Sequence, residues 1–141
     1  MKLAQSLALI ITGSASFVIP FALAGGFHIG KVTQPDVTSY ATACDSDNFA
    51  CSCFKQSTYN NPGASVSQNA EGIISIAKGL CGAGKLNLYY NQSDGSWIIY
   101  YDRGNGTSQG TCYPTSATLP CDHNSVVNDF LICYSPNICN P

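Results

Sequence analysis

The sequence predicts an α+β fold, in which a small antiparallel sheet is stapled by disulfides and packs against one main helix. Three observations lead to this prediction. Two apolar-aromatic runs flank Asp94-Gly95, which predicts a β-hairpin over residues 86–103. Apolar residues recur at spacings of three and four over residues 66–81, which predicts a helix. The eight cysteines of this short chain predict a framework of cross-links.

The beginning of the chain has the features of a secretory signal peptide. Lys2 supplies a short positive region, apolar runs follow it, and Ala22-Leu-Ala24 is a small-x-small cleavage site. We therefore expect residues 1–24 to be removed and residues 25–141 to form a single secreted cysteine-rich domain. No later stretch approaches the roughly 20 consecutive apolar residues that a membrane span needs.

The cysteines all lie after the predicted leader, and their even number in a small secreted chain predicts four disulfides. Eight cysteines allow 105 connectivities, so the pairing stays open, although Cys51 and Cys53 are too close to pair with each other. Zinc sites favour pairs of cysteines separated by two residues, whereas Cys51 and Cys53 are separated by one. We predict no metal site and no cofactor, with disulfides formed by Cys44, Cys51, Cys53, Cys81, Cys112, Cys121, Cys133 and Cys139.

The hairpin is the first element that the local sequence specifies. A two-residue turn at Asp94-Gly95 would place Tyr89 opposite Tyr100. Because side chains alternate across a strand, one face of the hairpin is then predicted to be core. That face holds Leu86, Leu88, Tyr90, Trp97, Ile99 and Tyr101, and the other face is expected to be half exposed to solvent.

The helix is the second element. Ser65 and Gln68 resemble a capping box, and Gly82 suits the position after a helix, where a positive φ is needed. Its apolar stripe is expected to cover the core face of the hairpin, because neither surface can be buried alone. The stripe consists of Val66, Ala70, Ile73, Ile74, Ala77 and Leu80.

Three further segments complete the predicted elements. Gly25 to Gln34 is expected to form a first strand, and Thr111 to Tyr113 a third strand that ends before a proline. The segment after Asp122 allows two interpretations. Val126 to Leu131 could form a short helix, or Phe130 to Tyr134 could form a strand.

The charge balance limits the classes of partner. After the leader, five basic residues stand against eight acidic ones. Nucleic-acid binding depends mainly on clustered Lys and Arg that neutralise phosphates, so we predict no nucleic-acid partner. The same balance argues against a cationic peptide that disrupts anionic membranes.

The half-exposed face of the hairpin is the candidate binding surface. It carries Asn87, Tyr89, Tyr100 and Asp102, and aromatic rings beside hydrogen-bonding groups suit recognition of a sugar or a protein. The alternative is a cross-strand tyrosine pair that only stabilises the sheet. Two glycosylation sequons begin at Asn91 and Asn105, and a glycan on Asn91 would compete for this surface.

No catalytic motif occurs in the sequence, so we expect a protein that is not an enzyme. One alternative is a small RNase-like enzyme, since secreted fungal ribonucleases combine a helix, an antiparallel sheet and a Glu/Arg/His site. Glu71, Arg103 and His123 supply those residue types, and His28 would be the second histidine of such a site. The motifs of that family are not matched.

The leader ending in Ala22-Leu-Ala24, the eight cysteines, the two sequons and the abundance of Tyr, Ser, Asn and Gly resemble fungal small secreted cysteine-rich proteins. Many members of that class are effectors or avirulence proteins. The resemblance implies a secreted, effector-like protein that binds a host protein or an extracellular glycan without catalysis. The alternatives are a secreted killer-toxin-like or antimicrobial protein and a carbohydrate-binding wall protein.

Overall fold

In the computed structural model, residues 25–35, 37–54, 63–122 and 124–140 are described, and the predicted signal peptide lies outside them. The described residues contain nine strands in one antiparallel sheet. In chain order these are β1 (Gly26–Gln34), β2 (Val37–Asp45), β3 (Ala64–Gln68), β4 (Ile74–Ile76), β5 (Leu86–Asn91), β6 (Ser96–Tyr101), β7 (Gly110–Pro114), β8 (Thr118–Pro120) and β9 (Val126–Tyr134).

The sheet closes on itself. Strands β1 to β7 pair in sequence order, β7 pairs with β9, and β9 pairs back with β1 along Gly26–Thr33. Eight strands therefore form a closed antiparallel barrel. Strand β8 pairs with the first residues of β9, on the edge whose later residues pair with β7. Closure removes exposed strand edges from the ring.

The predicted α+β fold is wrong. The described helical segments are a 3₁₀ turn at Ser46–Asn48, a single helical turn α1 at Cys51–Phe54 and a 3₁₀ turn at Leu80–Gly82. No helix of seven or more residues occurs in the described part of the chain. The main helix predicted over residues 66–81 is replaced by strands β3 and β4 and the 3₁₀ turn.

Turn chemistry overrides the helical spacing in this segment. The Asn69 side-chain oxygen accepts hydrogen bonds from the backbone N–H groups of Glu71 (3.0 Å) and Ile73 (2.9 Å). Gly72 has φ +87°, which no helix interior allows. The chain therefore reverses between β3 and β4, as expected of an Asx turn followed by glycine. Of the apolar residues that suggested a helical stripe, Val66 lies in β3, Ile74 in β4 and Leu80 in the 3₁₀ turn, and the others lie in the connections.

The barrel core contains much of the predicted hairpin face. Leu86, Leu88 and Ile99 are fully buried, and Trp97 and Tyr101 pack partly against them. Tyr90 was also predicted to be core, but 55% of it is exposed because it lies at the end of the hairpin. The cover that the helix was expected to give comes instead from other strands of the barrel and from two segments outside the strands, through Phe27, Ile29, Ile74, Ile76, Leu80, Leu131 and Ile138.

The hairpin forms with a register two residues away from the predicted one. Asn91 pairs with Ser96, so four residues form the connection, and Tyr89 lies opposite Ile98 rather than Tyr100. A two-residue type I′ turn needs a positive φ at both central residues, and of the pair only Gly95 has one. Because the shift is even, every side chain keeps the predicted face.

A second, smaller core lies on the other side of β1. His28, Gly30 and Val32 alternate with Phe27 and Ile29, and α1 covers them with the ring of Phe54. A Cβ at Gly30 would lie 2.8 Å from that ring, so only glycine permits this close approach. The remaining members of this core are Val32, Cys44, Cys53 and Val127, with Tyr40, Phe49, Leu119 and Cys121 partly buried against them.

The prediction of four disulfides is confirmed. They join Cys44 to Cys53, Cys51 to Cys121, Cys81 to Cys139 and Cys112 to Cys133. The two closely spaced cysteines do have different partners, which fixes α1 both to β2 and to the segment before β9. The Cys81–Cys139 bond attaches the final described segment to the 3₁₀ turn before β5.

The predictions for the remaining strands are mostly correct. The first strand is confirmed as β1, and the strand predicted around Cys112 is confirmed as β7. The segment Val126–Tyr134 is one continuous strand, so the short-helix interpretation of its first half is wrong. Its burial alternates from residue to residue, with the even spacing of a strand that has one face in a core.

Candidate functional site

Two tyrosines form the centre of the candidate site. Tyr89 and Tyr100 lie diagonally across β5 and β6, with ring centroids 5.7 Å apart and ring planes at 72°. This edge-to-face geometry is one that aromatic pairs favour. Tyr89 is 43% exposed, so the pair presents aromatic surface to solvent. The two tyrosines contact each other despite the shifted register, because diagonal neighbours on one sheet face are within reach of aromatic side chains.

A hydrogen-bonded chain holds the polar side chains next to this pair. Ser75 Oγ donates to Asn87 Oδ1 at 2.8 Å, and Asn87 Nδ2 donates to Asp102 Oδ1 at 2.9 Å. The other oxygen of Asp102 lies 3.8 Å from Lys85 Nζ. The chain fixes the orientation of the Asn87 amide, which keeps one N–H for another partner. The four residues of the predicted binding face therefore lie together.

The turn after β6 closes one end of this surface. Arg103 has φ +59°, a left-handed conformation that is uncommon for a side-chain-bearing residue, and Gly104 N bonds to Tyr101 O at 3.1 Å. Within the described residues the Arg103 guanidinium makes no hydrogen bond or ion pair. The resulting hollow of about 510 Å³, here called the tyrosine cleft, is lined by Asn87, Tyr89, Tyr100, Tyr101, Asp102, Arg103, Gly104 and Gly106.

A second hollow adjoins the tyrosine cleft at the end of the hairpin. Tyr90 and Trp97 pair across the strands with ring centroids 5.2 Å apart, and the β3–β4 turn brings Glu71 to the same place. This hollow of about 450 Å³, here called the tip cleft, is lined by Glu71, Gly72, Ile73, Tyr89, Tyr90, Gln92 and Trp97. Tyr89 belongs to the lining of both hollows, but Tyr90 and Trp97 lie on the core-side face of the hairpin, opposite the face that carries Tyr89 and Tyr100.

The two sequons flank these clefts. Asn91 ends β5 on the face that carries Tyr89, and its side-chain oxygen accepts bonds from Ser93 N (3.1 Å) and Ser93 Oγ (2.7 Å). Asn105 is exposed between two glycines that line the tyrosine cleft. A glycan on Asn91 would project beside Gln92 of the tip cleft, and one on Asn105 beside the tyrosine cleft.

One acid in the hairpin turn has a perturbed pKa. Asp94 Oδ1 accepts a hydrogen bond from Ser96 Oγ at 2.6 Å and another from Ser96 N at 3.0 Å. These bonds favour the ionised carboxylate and lower the pKa of Asp94 below its usual value, the hydroxyl bond being the larger cause. This acid stabilises the turn and lines neither cleft.

The residues of the RNase-like alternative do not come together in the described structure. Glu71 lines the tip cleft and Arg103 lines the tyrosine cleft. His28 faces the second core, where its Nδ1 lies 2.8 Å from Asp129 Oδ2 and its ring stacks on Phe49. His123 lies outside the described residues.

One cluster among the described residues consists of side-chain types that can ligate metal ions. Among the described residues, one group of three possible ligands lies close together, namely Asp45, Cys81 and Cys139. The two cysteines are joined as a disulfide, so neither offers a thiolate. Asp45 is left as a single carboxylate, which does not make a metal site.

Two features of the described residues concern the location of the protein. Four disulfides are compatible with an extracellular protein. In the described residues no helical segment has the length and apolar character to cross a bilayer. No protein-family model matches the chain, and no significant match is found among curated proteins or solved structures.

Sequence reasoning named four cleft residues and missed others. The sequence suggests Arg103 only as a residue of the RNase-like alternative, and it predicts Tyr90 and Trp97 only as core. The pattern Asp102-Arg103-Gly104 directly after a strand indicates a tight turn, and such a turn would keep Arg103 at the end of the predicted binding face. No local signal could have placed Glu71, because it depends on the reversal between β3 and β4.

Proposed function

We propose that this protein acts outside the cell as a non-catalytic binding protein, and that its ligand binds in the tyrosine cleft. The observation that supports this most directly is the exposed Tyr89–Tyr100 pair beside an Asn87 amide held in place by its neighbours. Rigid aromatic surface next to a few oriented polar groups is typical of ligand sites.

The structural alternative, a tyrosine pair that only stabilises the sheet, accounts for less of the site. Stabilisation of β5 and β6 does not require Arg103 in a left-handed conformation beside the pair, where its guanidinium has no partner among the described residues. A cleft of about 510 Å³ also falls within the usual size of small-ligand pockets.

Export supports the extracellular part of the proposal. The leader pattern predicts cleavage after Ala24, and the eight cysteines form four bonds that an oxidising compartment would preserve. Mass spectrometry of protein collected from culture medium should find Gly25 as the first residue and a mass eight hydrogens below that of the reduced chain. Free thiols or a retained leader would contradict the proposal.

The resemblance to secreted effectors makes a host molecule the first ligand to test. Oxidised protein, immobilised and incubated with plant apoplastic fluid, should retain a ligand that the Tyr89→Ala variant does not retain. Tyr113→Ala is a matched control, since Tyr113 is 45% exposed and lines neither cleft. A ligand that all three proteins retain equally would exclude the tyrosine cleft as the binding site.

A carbohydrate-binding wall protein is the second candidate. The observation that favours it is the lining of the two neighbouring clefts, which combines aromatic rings with the amide groups of Asn87 and Gln92. For this candidate the ligand would belong to a cell wall rather than to a host protein.

A further inference from the structure

We propose that the tip cleft is a binding site in its own right and that it takes an alkylammonium group, either a quaternary ammonium or the end of a lysine side chain. The inference goes beyond the proposed function, because it requires no ligand in the tyrosine cleft. It follows from the aromatic rings that line this hollow, from the acidic side chain that lies with them, and from the fixed turn that carries the acid.

Two aromatic rings form one wall of the tip cleft. The rings of Tyr90 and Trp97 have centroids 5.2 Å apart and planes inclined at 56°, so they meet at an angle rather than in a flat stack. Tyr90 is 55% exposed although it lies on the core-side face of the hairpin, because it is close to the end of β5. The face of an aromatic ring carries partial negative charge and attracts a cation that lies within about 6 Å of the ring centroid. This angled, partly exposed wall therefore suits a compact organic cation.

Glu71 gives the tip cleft its charge. Among the described residues that line the hollow, it is the one charged side chain, and its carboxylate has no hydrogen bond or ion pair with a described residue. A carboxylate beside aromatic faces attracts a cation and repels an anion, since both groups present negative charge. The formal net charge of −2 for the whole chain acts in the same direction at longer range. The hollow therefore selects for positive charge.

The β3–β4 turn fixes the position of this acid beside the rings. In addition to the two hydrogen bonds that Asn69 Oδ1 accepts, Gly72 N donates to Asn69 O at 3.0 Å, and Gln68 Nε2 donates to Gly72 O at 3.0 Å. These bonds enclose Glu71 from both sides in the chain, so its backbone is held before a ligand arrives. A site that is ordered in advance loses less entropy on binding.

The lining distinguishes an alkylammonium from other cations. A metal ion requires several oxygen or nitrogen ligands, and the described lining offers one carboxylate and the amide of Gln92. A planar guanidinium stacks best on one flat ring, whereas the rings of Tyr90 and Trp97 meet at an angle and fit a rounded group. The hollow measures about 450 Å³, which falls within the usual size of small-ligand sites. Its occupant is therefore a compact cation with alkyl substituents.

Fluorescence titration of the oxidised protein tests the inference. Trp97 is the single tryptophan of the chain, so its emission reports directly on the tip cleft. Choline and the amide of N-acetyl-lysine should both change this emission in a saturable way, and 3,3-dimethylbutanol, the uncharged analogue of choline, should bind about tenfold more weakly. Tighter binding of choline would identify a quaternary ammonium as the source of the group, and tighter binding of the lysine derivative would identify a basic peptide. Saturation-transfer NMR of the ligand signals provides a second readout.

Variants separate the contribution of the charge from that of the ring. Glu71→Gln keeps the shape of the side chain without its charge, and it should weaken both cations about tenfold while leaving 3,3-dimethylbutanol unaffected. Tyr90→Leu, which removes the ring, should also weaken the cations, whereas Tyr90→Phe should bind them as wild type. Asp47→Asn is the matched charge control, since Asp47 is exposed and lines neither cleft. Tyr113→Ala is the matched ring control.

Four outcomes would overturn the inference. These are no saturable binding of either cation by fluorescence or NMR, equal affinity for 3,3-dimethylbutanol, tighter binding of the amide of N-acetyl-arginine, and an unchanged affinity in Glu71→Gln. The last result would leave Tyr90 and Trp97 as a ring pair that only stabilises the end of the hairpin. Circular dichroism establishes that each variant is folded. None of these outcomes affects the proposed function, because the capture experiment depends on Tyr89 and on the tyrosine cleft.

Discussion

His28 Nδ1 lies 2.8 Å from Asp129 Oδ2, joining two strands whose residues are 101 positions apart in the chain. The pair lies at the seam where β1 and β9 close the barrel. Asp129 is only 3% exposed, and its other oxygen has no hydrogen-bond partner among the described residues. Among the described residues, His28 is therefore the one side-chain partner of this buried carboxyl group.

Replacing His28 should destabilise the protein strongly. His28→Ala would leave Asp129 Oδ2 without its hydrogen bond, and leaving a buried polar group without a partner costs about 1–3 kcal/mol or more. The double variant His28→Ala/Asp129→Ala removes the buried carboxyl as well, so its loss should be smaller than the sum of the two single losses. Urea unfolding of the oxidised proteins measures all three, and strictly additive losses would contradict the coupling.

The seam also depends on a glycine. A Cβ at Gly26 would collide with the carbonyl oxygen of Cys133 on β9, so Gly26→Ala should force the two strands apart at a cost of about 2–3 kcal/mol. Gly84→Ala is the matched control, because its Cβ would meet nothing nearer than Tyr101 Cδ1 at 3.9 Å. The midpoints of denaturant unfolding compare the two variants. Equal stability of both would show that closure tolerates a side chain here.

The Cys81–Cys139 disulfide should be reduced before the two buried disulfides. Both of its cysteines have a positive φ, +49° and +55°, and Cys81 is exposed, whereas Cys44–Cys53 and Cys112–Cys133 are buried. Backbone strain and access both favour attack by a thiolate. Limited treatment with dithiothreitol, followed by alkylation and peptide mapping, should label Cys81 and Cys139 before the cysteines of the two buried bonds. Earlier labelling of a buried pair would contradict this order.

The hairpin turn should make a small contribution to the stability of the fold that is lost in acid. The folded-state pKa of Asp94 is lowered by Ser96, so the stabilisation is present above the unfolded pKa and is lost as pH falls through the folded one. Ser96→Ala should raise the pKa of Asp94 toward its usual value, as followed by NMR titration of the carboxyl carbon. Ser93→Ala is the control, because Ser93 bonds to Asn91 and not to Asp94. An unchanged titration in Ser96→Ala would refute the assigned cause.

The failed helix prediction shows where periodicity is ambiguous. Val66, Ile74 and Leu80 fit a helical stripe, yet they belong to β3, β4 and a 3₁₀ turn. Their spacing is the same in either case, and the decision rests on the turn around Asn69 and on the partners that β3 and β4 find in β2 and β5. Pairing partners lie far along the chain, so a local pattern does not contain them.

The candidate site was predictable only in part, for a similar reason. Alternation along β5 and β6 placed Asn87, Tyr89, Tyr100 and Asp102 on one face, and a register error of two residues did not change that. The tip cleft needed the β3–β4 turn to reach Tyr89, which is a tertiary contact. The residues of the tip cleft could therefore not be grouped from the sequence alone.

The sequence by itself determined the features that depend on residues close together in the chain. The hairpin, the strands β1 and β7, the even number of cysteines and the leader pattern can all be read from the sequence without the fold. The tertiary structure alone decided that the sheet closes, which cysteines pair, that His28 meets Asp129, and that two clefts share Tyr89. These features join segments separated by tens of residues, so they depend on the packing of the whole barrel rather than on any local preference.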